Sequence, residues 1–287
     1  NNQIKAVKDK LDYESSGAMK NLIAIDTVKT RMEETCKALQ EADNWTTLSS
    51  DVEDVFKTGD THIIAHKLIG MQKSLEILVD VPDYEQRIKH LEELKDRFES
   101  MIEIATVRAF TLQSNETAHI YVKMFKDLKR IANLKRYYHN CIKTQLINEW
   151  GRIIQIDPEE DVLDWLNSFY DFMLSTWHSQ SNFCTQIMFH NDIDSTLDLL
   201  CDIFIEVLNN LNPNFLSSII KLLNQQTNYH ECLNILIETR QIIERFAKSI
   251  ELSINNTGNH RLLQKVQVNL FAEILYLPFR DLIERYE

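Results

Sequence analysis

The sequence predicts an all-α fold, an elongated bundle or rod of successive helices led by a long coiled-coil-like helix at the N-terminus. Three observations support this. The 287 residues include only 5 Gly and 4 Pro, so few positions suit tight turns or sheet corners. Apolar residues recur at intervals of three and four along most of the chain, as they do on one face of a helix. No segment of any length shows the apolar and polar alternation typical of strands.

Residues 1–44 form the first predicted segment, a long amphipathic helix over residues 4–42. Sustained spacing in threes and fours is typical of a helix that pairs with another helix. The alternative, docking of this face on its own domain, is left open by the spacing alone. The candidate partner interface consists of Ile4, Val7, Leu11, Leu22, Ile25, Met32 and Leu39, called the seam below.

Residues 45–156 form the second predicted segment, a first helical bundle. Ser50 is a predicted N-cap with Glu53 three residues later, the spacing of a capping box. Gly59 then breaks the chain, since glycine readily takes a positive φ, and Asp60 is placed to cap the next helix. That helix ends before Pro82, because proline disfavours the helical conformation of the preceding residue.

Charge is unevenly distributed along the rest of the second segment and beyond. A helix to about residue 112 and a joint at 114–116 precede residues 119–143, which carry seven Lys or Arg and one Asp among several aromatics. Such a stretch invites a nucleic-acid or phosphoinositide interpretation. The alternative is a solvated face, or one that meets residues 153–220, which hold eleven Asp or Glu and no Lys or Arg. The net charge of −12 favours the alternative and predicts no nucleic-acid partner.

Residues 157–287 form the third predicted segment, a second helical bundle. Asp157-Pro158 predicts a helix start, with the aspartate as N-cap and the proline at the first helical position. The helix over residues 162–187 carries an apolar stripe broad enough to predict burial between neighbouring helices. Further helix boundaries are predicted at Asp192 or Asp194, at Pro213 and at Gly258.

The sequence predicts no catalytic, cofactor-binding or metal-binding residue and therefore no enzyme. His62 and His66 have the four-residue spacing of zinc ligands, but Ile63 stands where a general-base glutamate belongs. The five cysteines include no CxxC pair and are expected to be reduced thiols of a cytosolic protein. No apolar run approaches the roughly 20 residues of a membrane span. The chain begins at Asn1 without a methionine, so we expect a fragment of a longer protein.

Several short motifs stand out between residues 25 and 112. They are Leu39-Gln40-Glu41-Ala42-Asp43, Trp45, Thr47-Leu48-Ser49, Phe56-Lys57-Thr58, Gly70-Met71-Gln72, Leu78-Val79-Asp80 and Pro82-Asp83-Tyr84. Together they resemble a known family, the seventh subunit of the conserved oligomeric Golgi complex. The resemblance is thinner at Tyr137-Tyr138, Gln145-Leu146, Trp150 and Trp177-His178, and beyond Asn210 it rests on chain continuity. The motifs are not catalytic signatures, and their specificity comes from the length of the match.

This resemblance implies a helical rod without enzymatic activity that belongs to a multisubunit vesicle-tethering complex. It implies a role in retrograde transport within the Golgi and so in maintaining glycosylation. The implied location is cytoplasmic, peripheral on the cytosolic face of Golgi membranes, with indirect membrane association. The implied partners are the complex's fifth subunit most directly, its sixth and eighth subunits, and SNARE or Rab proteins as further candidates.

Two other classes of protein remain as alternatives at this stage. One is another helical scaffold, such as an exocyst-like or coat-like subunit, which shares the same helix pattern. The other is an α-helical enzyme or lipid-transfer protein, which requires an interior cavity lined by residues 165–177.

Overall fold

The chain folds into two compact helical units, residues 1–102 and residues 103–287. The structure, a computed structural model, describes the backbone of residues 2–156, 162–189 and 192–286, and the side chains of residues 17–155, 162–189 and 192–284. Within these ranges every regular element is a helix, which confirms the all-α prediction. The predicted elongated arrangement and the predicted divisions at residues 44/45 and 156/157 stay predictions, and the predicted cap at Asp157 lies outside the described residues.

The first unit consists of three helices and most of a fourth. Helix α1 spans Asn2–Ser50, α2 Val52–Thr58, α3 Thr61–Ile77 and α4 Tyr84–Thr111, the last running on into the second unit. Helix α3 packs against the C-terminal part of α1. As predicted, Gly59 has a positive φ of 71° and Asp60 caps α3, its carboxylate accepting hydrogen bonds from the backbone of His62 and Ile63.

Two predicted boundaries of the first unit are wrong. The first helix does not end at residue 42, because α1 continues to Ser50. Ser50 is the last residue of α1, where its hydroxyl donates to the Thr47 carbonyl oxygen over 2.9 Å, and Asp51 occupies the N-cap of α2. The serine side chain thus satisfies a carbonyl group at a helix end instead of an N–H group at a helix start. Both roles are open to serine, and the capping-box spacing to Glu53 did not distinguish them.

Hydrogen bonds between polar side chains of neighbouring helices, among them the buried Ser74, help to fix the position of α3 in the first unit. Asn44 Nδ2 donates to Ser74 Oγ (3.1 Å), and Ser74 Oγ donates to Glu41 Oε2 (2.8 Å). Lys95 on α4 is also buried, and its Nζ donates to Gln72 Oε1 over 2.7 Å. Because a buried polar group that loses its partner is destabilising, these bonds favour one register of the helices.

The second unit is built around helix α7, Val162–Ile187, which packs against five of the other described helices. Its aromatic side chains contact those of neighbouring helices: Trp177 meets Phe204 at 5.4 Å, and Tyr170 stacks on Phe246 at 4.6 Å between ring centroids. The broad stripe of residues 162–187 is therefore buried on several sides, as predicted. The helices are α5 Asn115–Asp127, α6 Ile131–Ile156, α7 Val162–Ile187, α8 Ile193–Asn209, α9 Phe215–Gln225, α10 Tyr229–Asn255, α11 His260–Lys265, a π-helical segment Val266–Tyr276 and α12 Leu277–Tyr286.

Helix boundaries in the second unit follow the sequence with one correction. Asp192, one of the two predicted candidates, caps α8, and Gly258 after α10 has a φ of 72° as predicted. The predicted start at Pro213 is wrong by two residues, because Asn214 caps α9 at Leu216 and the helix begins at Phe215. The π-helical segment was not predicted, since its apolar spacing resembles that of an α-helix.

Replacement by Ala is expected to have opposite effects on stability at two glycines of the second unit. We expect Gly258→Ala to lower the free energy of unfolding by about 1 kcal/mol, because alanine is strained at positive φ. Gly151→Ala should raise it by about 0.5–1 kcal/mol, since this glycine lies inside α6 with nothing within 4 Å of an added Cβ. Urea denaturation followed by circular dichroism measures both, and effects of the same sign would contradict the prediction.

Candidate interaction surface

The seam lies on an exposed face of α1. Its described members are more than half exposed: Leu22 is 67%, Ile25 68%, Met32 63% and Leu39 66% exposed. Ile4, Val7 and Leu11 lie in the helix, but their side chains are outside the described residues. Neighbouring apolar side chains that the spacing argument did not select are exposed as well, at Met19, Ile23 and Val28.

The seam faces away from the side of α1 that packs on the first unit. That side is marked by Trp45, which is 6% exposed, and by Asn44, which bonds to α3. At about 100° per residue, Leu39, Met32 and Ile25 lie roughly 120–160° around the helix from Trp45. Helices α2 and α3 therefore leave the seam uncovered, and it is available to a further helix. Its assignment as a partner interface stays a prediction.

The basic stretch of residues 119–143 meets part of the acidic stretch within the second unit. Lys143 Nζ and His139 Nε2 both pair with Glu206 on α8, and the hydrogen bond from Lys143 lowers the pKa of that carboxyl. Lys135 lies over the Phe189 ring at 4.9 Å. These contacts favour the internal alternative to a nucleic-acid or phosphoinositide site.

Other cations neutralise further members of the acidic stretch. Lys265 Nζ lies 2.7 Å from both Asp198 and Asp202, and Arg245 lies 3.2 Å from Asp171. Asp171 on α7 and Asp198, Asp202 and Glu206 on α8 thus pair with cations on α10, α11 and α6 of the same unit.

The two histidines considered as metal ligands do not belong to a metal-binding group among the described residues. His62 and His66 are exposed on α3, and the described residues contain no group of three or more His, Cys, Asp or Glu that could hold a metal ion. All five cysteines are free thiols. Burial raises the pKa of the Cys184 thiol to about 12, so that sulfur stays protonated and unreactive at neutral pH.

Residues 165–177 belong to the aromatic core and not to an evident ligand site. Phe169, Met173 and Trp177 are completely buried, and Phe169 packs against Trp150 with ring centroids 5.0 Å apart. The Trp177 Nε1 donates to Ser253 Oγ over 2.9 Å. Such ring contacts are those of a packed interior, which disfavours an enzyme or lipid-transfer protein with its cavity here.

Two buried tyrosines of this core differ in hydrogen bonding. The Tyr138 hydroxyl donates to Gln180 Oε1 over 2.8 Å, with both residues buried. The Tyr170 hydroxyl has no hydrogen-bond partner among the described residues. Burial raises the pKa of both hydroxyls, so both stay neutral at physiological pH.

This difference predicts unequal effects of removing the two hydroxyls. Tyr138→Phe should lower the free energy of unfolding by about 1–3 kcal/mol, because the buried Gln180 amide loses its partner. Tyr170→Phe should leave it unchanged or raise it, since an unpaired buried hydroxyl is itself unfavourable. Urea denaturation of the two variants provides the comparison, and equal destabilisation would contradict it.

Among the described residues, no helix combines the length and apolar character required to cross a bilayer.

Together these features define a class: an all-α bundle protein whose long first helix presents an uncovered apolar face. The chain belongs to the Golgi complex component 7 (COG7) family, which it matches over residues 1–287. This confirms the resemblance found in the sequence and extends it past Asn210.

Its relatives include proteins named conserved oligomeric Golgi complex subunit 7. The chain is 35% identical to the one from Mus musculus over 281 residues, which is 96% of this chain and 35% of the relative. It is 36% identical to the one from Bos taurus over 280 residues (96% and 35%) and 24% identical to the one from Drosophila melanogaster over 278 residues (95% and 36%). The chain thus spans about a third of the length of the curated relatives it matches. No solved structure matches it.

Proposed function

We propose that this chain is a non-enzymatic part of a subunit of a vesicle-tethering complex. The complex acts in retrograde transport within the Golgi and so maintains Golgi glycosylation. The single observation that carries the proposal is the exposed seam on α1 of a chain that belongs to this family. An apolar stripe of this length exposed on a soluble helix is characteristic of an association surface.

In this proposal the helices transmit position and perform no chemistry. The seam buries itself against a helix of a neighbouring subunit, while the packed helices of the chain hold that contact at a fixed place. Rigid packing serves this role, because close-packed interiors deform little.

The fifth subunit of the complex is the proposed direct partner of the seam. The sixth and eighth subunits are further partners in the same assembly, and SNARE or Rab proteins are candidates for transient contacts. The proposed location is the cytosolic face of Golgi membranes, where the chain is held indirectly through these proteins. The internal pairing of Lys143, His139 and Glu206 gives no support to direct binding of nucleic acid or lipid headgroups.

Affinity capture tests this assignment against the other helical scaffolds. The 287-residue chain is immobilised and exposed to cytosol, and the recovered proteins are identified by mass spectrometry and confirmed with purified candidates. Recovery of the fifth subunit is the expected result. Recovery of exocyst or coat subunits in its place would overturn the proposal in favour of those scaffolds.

The thiol of Cys36 provides an internal probe of the same contact. Cys36 is exposed on α1 and lies on the seam face between Met32 and Leu39. We expect purified fifth subunit to slow its alkylation by a maleimide at least about tenfold, because the contact excludes the reagent. The half-buried Cys232 on α10 is the matched control and should react at an unchanged rate. Equal rates at Cys36 with and without the subunit would contradict the contact.

A further inference from the structure

In the part of the seam from Leu22 to Leu39, the flanking charges are distributed on one side only. In a heptad frame with Ile25, Met32 and Leu39 at the d positions, Leu22, Lys29 and Cys36 occupy the a positions. The flanking e positions then hold Asp26, Glu33 and Gln40, whereas the g positions hold the uncharged Asn21, Val28, Thr35 and Ala42. The e flank is therefore acidic and the g flank is neutral.

These flanking groups are free to meet a partner helix. Asp26 and Glu33 are exposed, and the Lys29–Glu33 contact of 3.8 Å joins side chains that are 68% and 67% exposed. An ion pair this exposed contributes little to stability. On the g flank the Thr35 hydroxyl donates to the Arg31 carbonyl oxygen over 2.7 Å, so this donor is already used within α1.

A second copy of this chain is a poor partner for the seam. In a parallel pair each e residue meets a g residue of the other helix, so Glu33 would face Val28 and Asp26 would face Asn21, without any ion pair. The Lys29 ammonium groups would also share one layer of the seam. In an antiparallel pair e residues face e residues, which brings Asp26 and Glu33 against like charges.

We propose that the helix covering the seam belongs to a different chain, and that it carries Lys or Arg facing Asp26 and Glu33 and an acidic or amide residue facing Lys29. This rests on the proposed function and specifies the chemistry of its partner. Flanking charges set the choice of partner, and a lysine within the seam fixes register at some expense of stability. Both features disfavour self-association and favour one complementary partner.

Two synthetic helical peptides of about four heptads test the inference directly. Both have a Leu and Ile seam with Glu at the layer opposite Lys29. The basic peptide has Lys at all e and g positions and the acidic peptide has Glu there. The 287-residue chain should be monomeric by analytical ultracentrifugation and should bind the basic peptide at least about tenfold more tightly, since attraction and repulsion add across the flank.

Adjacent glutamates of α1 provide the matched variants. Glu33→Lys lies on the acidic flank and should weaken binding of the basic peptide by about threefold or more, while Glu34→Lys, with the same charge change away from the seam, should leave it unaltered. Circular dichroism verifies that both variants keep the helix. Self-association of the chain through the seam, equal binding of the two peptides, or equal effects of the two variants would overturn the inference.

A variant of the seam distinguishes failure of the charge inference from failure of the proposed function. Leu22, Ile25 and Met32 are changed together to Asp in the same assays. If the two peptides bind equally but this variant binds neither, the charge inference is wrong and docking through the seam stands. If the variant still binds the basic peptide and the fifth subunit, the proposed function fails along with the inference.

Discussion

Replacing Leu22, Ile25 and Met32 together by Asp is expected to abolish capture of the fifth subunit by this chain. Burial of each apolar side chain contributes about 1.5–3 kcal/mol to association. Loss of three therefore removes at least about 4.5 kcal/mol, roughly a thousandfold in affinity. Three buried carboxylates would add a further penalty. Quantitative pull-down with purified fifth subunit measures the effect.

The same three substitutions should leave the chain folded, because the three side chains are exposed and contribute little to its core. A matched control changes Ala24, Thr27 and Thr30 to Asp. These residues are also exposed, lie on the opposite face of α1, and give the same change in net charge. The control should retain capture, and both variants should keep their helix content by circular dichroism. Capture that survives in the seam variant, or is lost equally in the control, would remove the seam from the mechanism.

The sequence was sufficient for features that depend on local chemistry. Asp60 caps α3 and Asp192 caps α8 because a carboxylate just ahead of a helix accepts from its first N–H groups. Gly59 and Gly258 adopt positive φ because glycine lacks the Cβ that disfavours it. The seam was likewise predictable, since the spacing of apolar residues fixes which of them share a helix face.

Features that depend on distant residues were not predictable in this way. The Asn44–Ser74–Glu41 bonds join positions about thirty residues apart, and the pairing of Lys143 with Glu206 joins α6 to α8. No spacing rule identifies such partners. The prediction for Ser50 was wrong for a related reason. Its hydroxyl could bond at the end of one helix or at the start of the next, and only the packing of the two helices decides between these roles.

Prediction of the candidate interface from the sequence is limited for the same physical reason. Spacing identifies an apolar face, but whether that face is covered depends on where the other helices lie. The position of Trp45 on the side packed against α3 resolves this for the first unit. The complementary residues belong to another chain, so the partner is specified only through what the seam and its flanks require: apolar contact, basic charge on one side, and a partner for Lys29.

The second large effect is expected from Trp177→Ala, which should lower the free energy of unfolding of the second unit by about 3–5 kcal/mol. Trp177 is completely buried on α7, contacts Phe204 on α8 and donates its indole N–H to Ser253 on α10. Its removal therefore leaves a large cavity where three helices meet. Urea denaturation followed by circular dichroism measures the loss.

Two milder variants separate packing from hydrogen bonding at this position. Trp177→Phe keeps much of the apolar volume and should be destabilising by about 1–3 kcal/mol, whereas Ser253→Ala keeps all of it and leaves only the indole N–H unpaired, also about 1–3 kcal/mol. Hydrogen exchange should accelerate in α7, α8 and α10 for Trp177→Ala and remain unchanged in α3, which belongs to the other unit. A loss for Trp177→Ala no greater than that for Ser253→Ala would mean that the ring fills no essential space. The region would then again be open to the cavity that a lipid-transfer protein requires.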